Sequence, residues 1–400
     1  MKFTADDDNP GIENASFTIE LIGDTGALIY NRDSLPVGTK IDSVVTTFTF
    51  QYAIAGMVLF APKDTILLRN NDTIDFTHQP VHLRVISVDY SKQRNYRISV
   101  LVHKINPDLY RWQMLSNDAL QHISNKQAVV RHNDAFYWYV NTGFANYLYT
   151  SADGADWALQ DVPSLPVEAD IRTMCTHEGK FYVAHDGVLY ISEDGVEWES
   201  MDDAHYVSML GSYKNGVWCI VKDDDGTLYA DNLLNRDAAH YQLPQNFPVQ
   251  GAAKTAYVSP TGQPQFIAIG GVNTAGEQLN TRWITQDMRS WVNLSDGQPA
   301  YPSMEGASVV YYGKRLLLIG GFDSNGRLRQ NFIVQSYDDG LYWETISTDD
   351  LSVPEEFESR AYANVLTSED GYDLYIIGGT TVTTPLSDVW KARKNSVDWE

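Results

Sequence analysis

The hydrophobic positions of this chain fall into short, strand-sized groups. Tyr96, Ile98, Val100 and Val102 alternate with polar or mixed neighbours, the period of two that marks a strand with one buried face. Strands are likewise expected over 15–22, 43–52, 65–68, 82–90 and 94–103, with Ser91, Lys92 and Gln93 turning the last two into a hairpin. Further along, the alternation gives way to unbroken apolar runs such as Leu316 to Ile319, which suit strands covered on both faces. The pattern predicts an all-β protein in three parts. They are a flexible acidic N-terminus over 1–14, a small β-sandwich-like domain over 15–106, and a repeated domain over 107–400. The small domain is expected to act as a spacer or docking module.

Two motifs carry the repeat. Residues 266–271, 316–321 and 374–379 are apolar strands ending in double glycines, at Gly270 and Gly271, Gly320 and Gly321, and Gly378 and Gly379. Each is followed by an intermediate aromatic (Trp283, Phe332, Trp390) and then by Trp291, Trp343 or Trp399. In the second motif, residues 148–157 match 189–198, with Asp153, Gly154 and Trp157 answering to Asp194, Gly195 and Trp198. Residues 285–291 are a weaker copy, and 336–343, with Asp338, Gly340 and Trp343, carry one more residue in the turn. The terminal aromatics Trp112, Trp157, Trp198, Tyr241, Trp291, Trp343 and Trp399 enclose six intervals of about 40 to 56 residues. That is the length of a four-stranded propeller blade, so a six-bladed β-propeller is expected. The interval around 231–241 has neither motif. Closure of the ring is expected from 109–115 rather than from 397–400.

Each motif has a physical job. The double glycines let backbones approach where a side chain would clash. The turn aspartate accepts backbone N–H groups while the glycine supplies positive φ. The tryptophan packs between sheets, contributing about 2–3 kcal/mol. A catalytic group is needed once and a turn is needed in every blade, so these residues are read as structural.

The double-glycine strands with their spaced aromatics resemble kelch repeats, and 336–343 resembles the Asp-box of sialidase-type propellers, shortened in the copies ending at Trp157 and Trp198. Arg360, within 358–362, is similar to the arginine that opens many kelch blades. The likeness covers about residues 109–400. The whole layout resembles a family of kelch-like lipoproteins exported by Bacteroides-type bacteria. That resemblance implies a six-bladed kelch-like propeller and a monomer at the cell surface or in the periplasm, held by a lipid anchor outside this chain. Asp6, Asp7 and Asp8 sit where such proteins carry an acidic export tract.

Composition narrows the partners. With 29 basic and 52 acidic residues the net charge is −23, a field that repels a phosphate backbone, so nucleic acid is not expected. No run of about 18 apolar residues is present to span a bilayer. Residues 2–11 are too polar for a signal peptide, which places the protein in the cytoplasm if Met1 is the native start. Cys175 and Cys219, in separate repeats, read as buried free thiols.

Candidate chemistry is sparse, and no cofactor or metal is expected. The nine histidines lack metal-binding spacing, although His177 and His185 are placed to face each other across a hairpin. Residues 223–226 read as a solvated turn rather than a calcium loop. Two functions of different kind remain. One is non-enzymatic recognition of a protein or glycan through the propeller face, with Tyr147, Trp138 or Tyr301 as aromatics able to stack on sugar. The other is a sialidase-like glycan hydrolase or lyase with an acidic pair at the central funnel, drawn from Glu178, Glu305, Glu355 and Glu358. Two carboxylates about 5–10 Å apart would favour the second.

Overall fold

The computed structural model describes residues 1–400 apart from 53, 61–64, 161, 236–239, 296–301, 331–332 and 397–400. Phe332, Tyr301 and Trp399 therefore lie outside the described residues. Two compact units are present, Met1–Pro107 and Asp108–Glu400.

In the first unit a six-stranded sheet runs in the order Phe17–Ile22, Gly26–Asn31, Gln93–Ser99, Val81–Ser87, Ile54–Phe60, Thr65–Leu68. A smaller sheet joins Lys2–Phe3, Val44–Thr47 and Thr73–Ile74. Phe3, Ile29, Val44, Met57, Phe76, Leu83 and Ile98 share one buried core. The hairpin through 91–93 forms as its pattern indicates. Two strands of the larger sheet escaped the pattern, as did the two-residue strands Lys2–Phe3 and Thr73–Ile74 of the smaller one. Gly26–Asn31 pairs in parallel with Gln93–Ser99, a partner too distant in sequence to be read from it. Ile54–Phe60 carries a bulge between Ile54 and Gly56 that breaks the period of two. The segment 43–52 yields only the short strand Val44–Thr47. The acidic terminus is a second correction. Residues 1–14, expected to be flexible, hold a strand and a 3-10 turn over Ile12–Asn14, with Phe3 and Ile12 buried. The Asn9 side chain accepts from Lys40 N–H at 2.8 Å and donates to Lys40 O at 3.1 Å, a pairing no local pattern reveals.

The second unit is a β-propeller. Among the described residues its strands fall into six four-stranded sets, each running from an inner strand outward. The inner strands are Lys126–His132, Cys175–His177, the later half of Glu199–Tyr213, Ala253–Val258, Ser308–Tyr312 and Asn364–Thr367. The long strand Glu199–Tyr213 serves two sets, pairing first with Gly187–Ser192 and then with Gly216–Lys222. Trp138, Tyr139, Ile267, Leu318 and Ile376 are fully buried, as expected for strands covered on both faces.

The double glycines stand at the ends of second strands, where one set meets the lead-in of the next. Both residues of each pair have positive φ, and a Cβ on Gly320 would lie 1.9 Å from the Arg360 carbonyl. The aspartate turns are built alike. Gly154 N–H donates to Ser151 Oγ at 2.9 Å, Asp153 Oδ1 accepts from Ala155 and Asp156 N–H, and Trp157 Nε1 donates to Gly154 O at 3.0 Å. Asp194 with Trp198 and Asp338 with Trp343 repeat this. In the copy at 285–291 Met288 takes the positive φ. Backbone N–H bonds hold the carboxyls of Asp153 and Asp194 below the usual range.

The N-terminal segment supplies the outermost strand of the last set. Tyr110–Ser116 pairs antiparallel with Pro385–Lys394, and Trp112 donates to Leu351 O at 2.6 Å while packing on Phe357. A truncation beginning at Leu109 should therefore keep the propeller melt, whereas one beginning at Asn117 should lower it by at least about 5 °C in calorimetry. Equal melts would contradict this closure.

Candidate functional site

Side chains and backbone link most inner strands to their neighbours. Thr176 Oγ1 donates to Arg131 O at 3.0 Å, His177 Nδ1 meets Ser212 Oγ at 2.8 Å, and Lys254 Nζ donates to Met209 O. Ser308 Oγ donates to Ala363 O, and Asn364 Oδ1 accepts from Val129 N–H at 2.8 Å, joining the last set to the first. Within this girdle lies a cavity of about 330 Å³, lined by Gln127, Cys175, Ser208, Lys254, Thr255, Ser308 and Asn364. A volume of this size falls at the lower end of the range for small-molecule sites.

Its mouth is built by the segments that lead into the inner strands. Asp170 caps the turn Ile171–Thr173, accepting from Arg172 N–H at 3.2 Å through one oxygen and from the Gln250 amide at 2.7 Å through the other. Arg172 donates to Asn125 O at 2.9 Å and lays its guanidinium 3.9 Å from the centre of the Tyr362 ring. The Tyr362 hydroxyl donates to Glu305 Oε1.

Tyr362 occupies an unusual backbone position. Gly251, Gly306 and Tyr362 are equivalent residues of three successive lead-ins, with φ of +64°, +67° and +53°. Gly306 N–H donates to Gly251 O at 2.8 Å, and Tyr362 N–H to Gly306 O. A Cβ on Gly306 would lie 2.6 Å from the Tyr362 ring, and one on Gly251 would lie 2.8 Å from Glu305 Cγ. The two glycines thus make room for the Tyr362–Glu305 pair. A bulky aromatic in the left-handed region costs about 1–3 kcal/mol, and such strain concentrates at functional sites.

Burial and the bond to Glu305 push the Tyr362 hydroxyl well above the usual phenol range, so it stays protonated. Burial also lowers Lys254 to about 8 and raises the neighbouring Cys175 thiol to about 12.

Of the acidic residues named from sequence, only Glu305 reaches the mouth. Glu178 is exposed in the turn beyond Cys175–His177, at the far end of an inner strand, and Glu355 and Glu358 are exposed before the last one. Trp138 is buried in the core at 0% exposure, and Tyr147 stacks on His122 at 3.7 Å. The cysteine reading changes in part: Cys219 is buried, but Cys175 is half-buried in the cavity wall. His177 pairs with Lys180 beside a tight turn, which leaves His185 at the other end of its strand, so the two do not face each other. Residues 223–227 form an exposed turn, closed by Thr227 N–H on Asp223 at 2.9 Å. Among the described residues no group of three or more His, Cys, Asp or Glu is placed to hold a metal ion, and no helix is long and apolar enough to cross a membrane.

Sequence reasoning missed Asp170, Gln250, Lys254 and Tyr362, and had Arg172 only as one of seven arginines free to converge on the axis. The signal was the register of the repeat, since Gly251, Gly306 and Tyr362 each stand just before an inner strand.

Residues 106–400 match the DUF6242 beta propeller domain, and residues 1–100 match the N-terminal domain of the same family, a domain of unknown function. Among solved structures, that of YjhT is 14% identical with a TM-score of 0.46, covering 68% of this chain and 96% of its own. A solved BT0996 RGII complex is 13% identical with a TM-score of 0.39, covering 68% of this chain and 89% of its own. No curated protein matches the chain.

Proposed function

We propose that this chain, which belongs to the DUF6242 family, is a non-enzymatic recognition protein that takes a polar, sugar-sized ligand into the mouth of its propeller cavity. The observation that carries this reading is Tyr362, held at φ +53° where the two preceding lead-ins use glycine. Around it, Asp170 and Arg172 from one lead-in, Gln250 from a second and Glu305 from a third converge. Alternating charged, amide and hydroxyl groups around one ring suit a ligand rich in hydroxyls. The carboxylates support binding over catalysis: both oxygens of Asp170 are engaged in structural bonds, and Glu305 is held by Tyr362. The resemblance to exported lipoproteins implies a monomer at the cell surface or in the periplasm, and that placement is part of the proposed function.

The Tyr362–Glu305 pair also favours a second reading, a glycan-active hydrolase. In it Glu305 takes the phenol proton as the phenol oxygen bonds to the anomeric carbon. The glycosidic C–O bond breaks with its leaving oxygen protonated from solvent, and water then hydrolyses the glycosyl–tyrosine. A thermal-shift screen against host and bacterial glycans separates the two. A ligand at a hundred times its Kd stabilises by about 2.7 kcal/mol. For a recognition protein, Tyr362→Phe should weaken binding about tenfold by calorimetry, with the glycan recovered intact. Glycan cleaved by the wild type and spared by Tyr362→Phe would establish the hydrolase instead. A screen without any shift would remove the cavity as a glycan site.

A further inference from the structure

An ammonium group in the wall of an internal cavity is costly unless an opposite charge answers it. Lys254 is placed in this way. Its one hydrogen bond runs to the Met209 carbonyl, and among the described residues no carboxylate comes within salt-bridge distance of its amine. Asp170 acts on it only from farther off, with its oxygens already engaged by Arg172 N–H and Gln250. Two more donors of the wall are unanswered: Asn364 Nδ2 and Arg172 Nε are buried without an acceptor.

The acceptors show the opposite condition. Gln127 Oε1 takes Trp138 Nε1 at 3.2 Å and Gly379 N–H at 3.3 Å, Asn364 Oδ1 takes Val129 N–H, and Glu305 takes the Tyr362 hydroxyl. In a chain of net charge −23, this cavity is lined by two cations, Lys254 and Arg172, against the single carboxylate of Asp170, and by surplus donors. Buried polar groups are normally satisfied, so the surplus calls for a ligand that brings acceptors and a negative charge.

We propose that the cavity binds its ligand through a carboxylate paired with Lys254, which makes the ligand an acidic sugar of the hexuronate kind. The inference rests on the reading of the cavity as a ligand site and names the chemical class it takes. A monoanion fits better than a phosphate dianion, because one ammonium faces the cavity within a strongly acidic protein. The pairing needs the protonated amine, which burial holds at about 8. The groups facing it are the Cys175 thiol, kept neutral up to about 12 by burial, and the Asp170 carboxylate. Among the described residues, the polar groups that the neighbouring strands Glu199–Tyr213 and Ser308–Tyr312 bring to the cavity are Ser208, Ser212, Ser308 and the Met209 carbonyl, none of them charged. Binding is therefore strongest below about pH 8 and falls above it, by up to tenfold per pH unit.

Calorimetric titration of the full chain with glucuronate and with glucose, at pH 6.5 and pH 9.5, tests this. Glucuronate should bind at least tenfold tighter than glucose at pH 6.5 and lose that advantage at pH 9.5. Lys254→Met should lose it at both, while Lys254→Arg should keep it at both. The pH arm needs no variant, so the test survives a misfolded Lys254→Met. Acetate competing as well as glucuronate would assign the site to free carboxylates and keep the Lys254 pairing. Equal affinity for both sugars at pH 6.5 would overturn the carboxylate while leaving sugar recognition intact. Heat with neither sugar, together with a silent glycan screen, would overturn the cavity reading itself.

Discussion

Gly320→Ala should destabilise the propeller by about 3 kcal/mol or more in chemical denaturation. Two costs add at this position. The backbone sits at φ +67°, where an L side chain costs about 1–2 kcal/mol. The new Cβ would also lie 1.9 Å from the Arg360 carbonyl, which is backbone and cannot swing aside. That carbonyl is held in turn by Gly321 N–H at 3.1 Å, so relieving the clash breaks the contact between two sets. Gly326→Ala is the control. Its φ is +69° and a Cβ there meets nothing within 4 Å, so only the conformational cost of about 1 kcal/mol remains. If both variants cost the same, close approach is not why the double glycine is there.

Arg360→Ala should cost about 3–5 kcal/mol, and Asp388→Ala a similar amount. Arg360 is 1% exposed and binds Asp388 through two nitrogens at 2.6 and 2.8 Å. It also donates to Gly378 O at 3.1 Å and Glu358 O at 2.9 Å, and lies over Phe357. Asp388 accepts further from Trp390 Nε1 at 2.6 Å. Removing either partner strands a buried charge and several donors, which is where the large cost arises. At about 2–4 °C per kcal/mol for a large unit, the melting temperature should fall by about 6–20 °C. The double variant Arg360→Met with Asp388→Leu should recover much of the loss, because no charge is then left unpaired. A double variant as unstable as the sum of the singles would mean that the pair acts through shape alone.

Gly320 was legible because its cause is repeated, whereas Arg360 was legible only by its resemblance to the arginine of kelch blades, its partner Asp388 lying 28 residues away. A double glycine after an apolar run, or Ser-x-Asp-Gly before tryptophan, announces a turn whose hydrogen bonds close within a few residues. The strand Gly26–Asn31 was not legible, since its parallel partner lies far along the chain. Ile54–Phe60 was hidden by a bulge. The mouth of the cavity was hidden for a third reason. Asp170, Gln250, Glu305 and Tyr362 sit in different lead-ins, and the ring, rather than any motif, brings them together. Repetition conceals such a site, because what recurs in every blade is structural and the site depends on what differs. Tyr362 is visible only as the departure from glycine at one register position.

Hydrogen–deuterium exchange of the full chain, with and without the glycan giving the largest thermal shift, tests the placement of the site most directly. The account predicts added protection in the lead-ins and inner strands at 170–175, 249–255, 304–309 and 361–366. Protection confined to the first unit, or to the turns at the far ends of the inner strands such as 178–179 and 313–314, would contradict it.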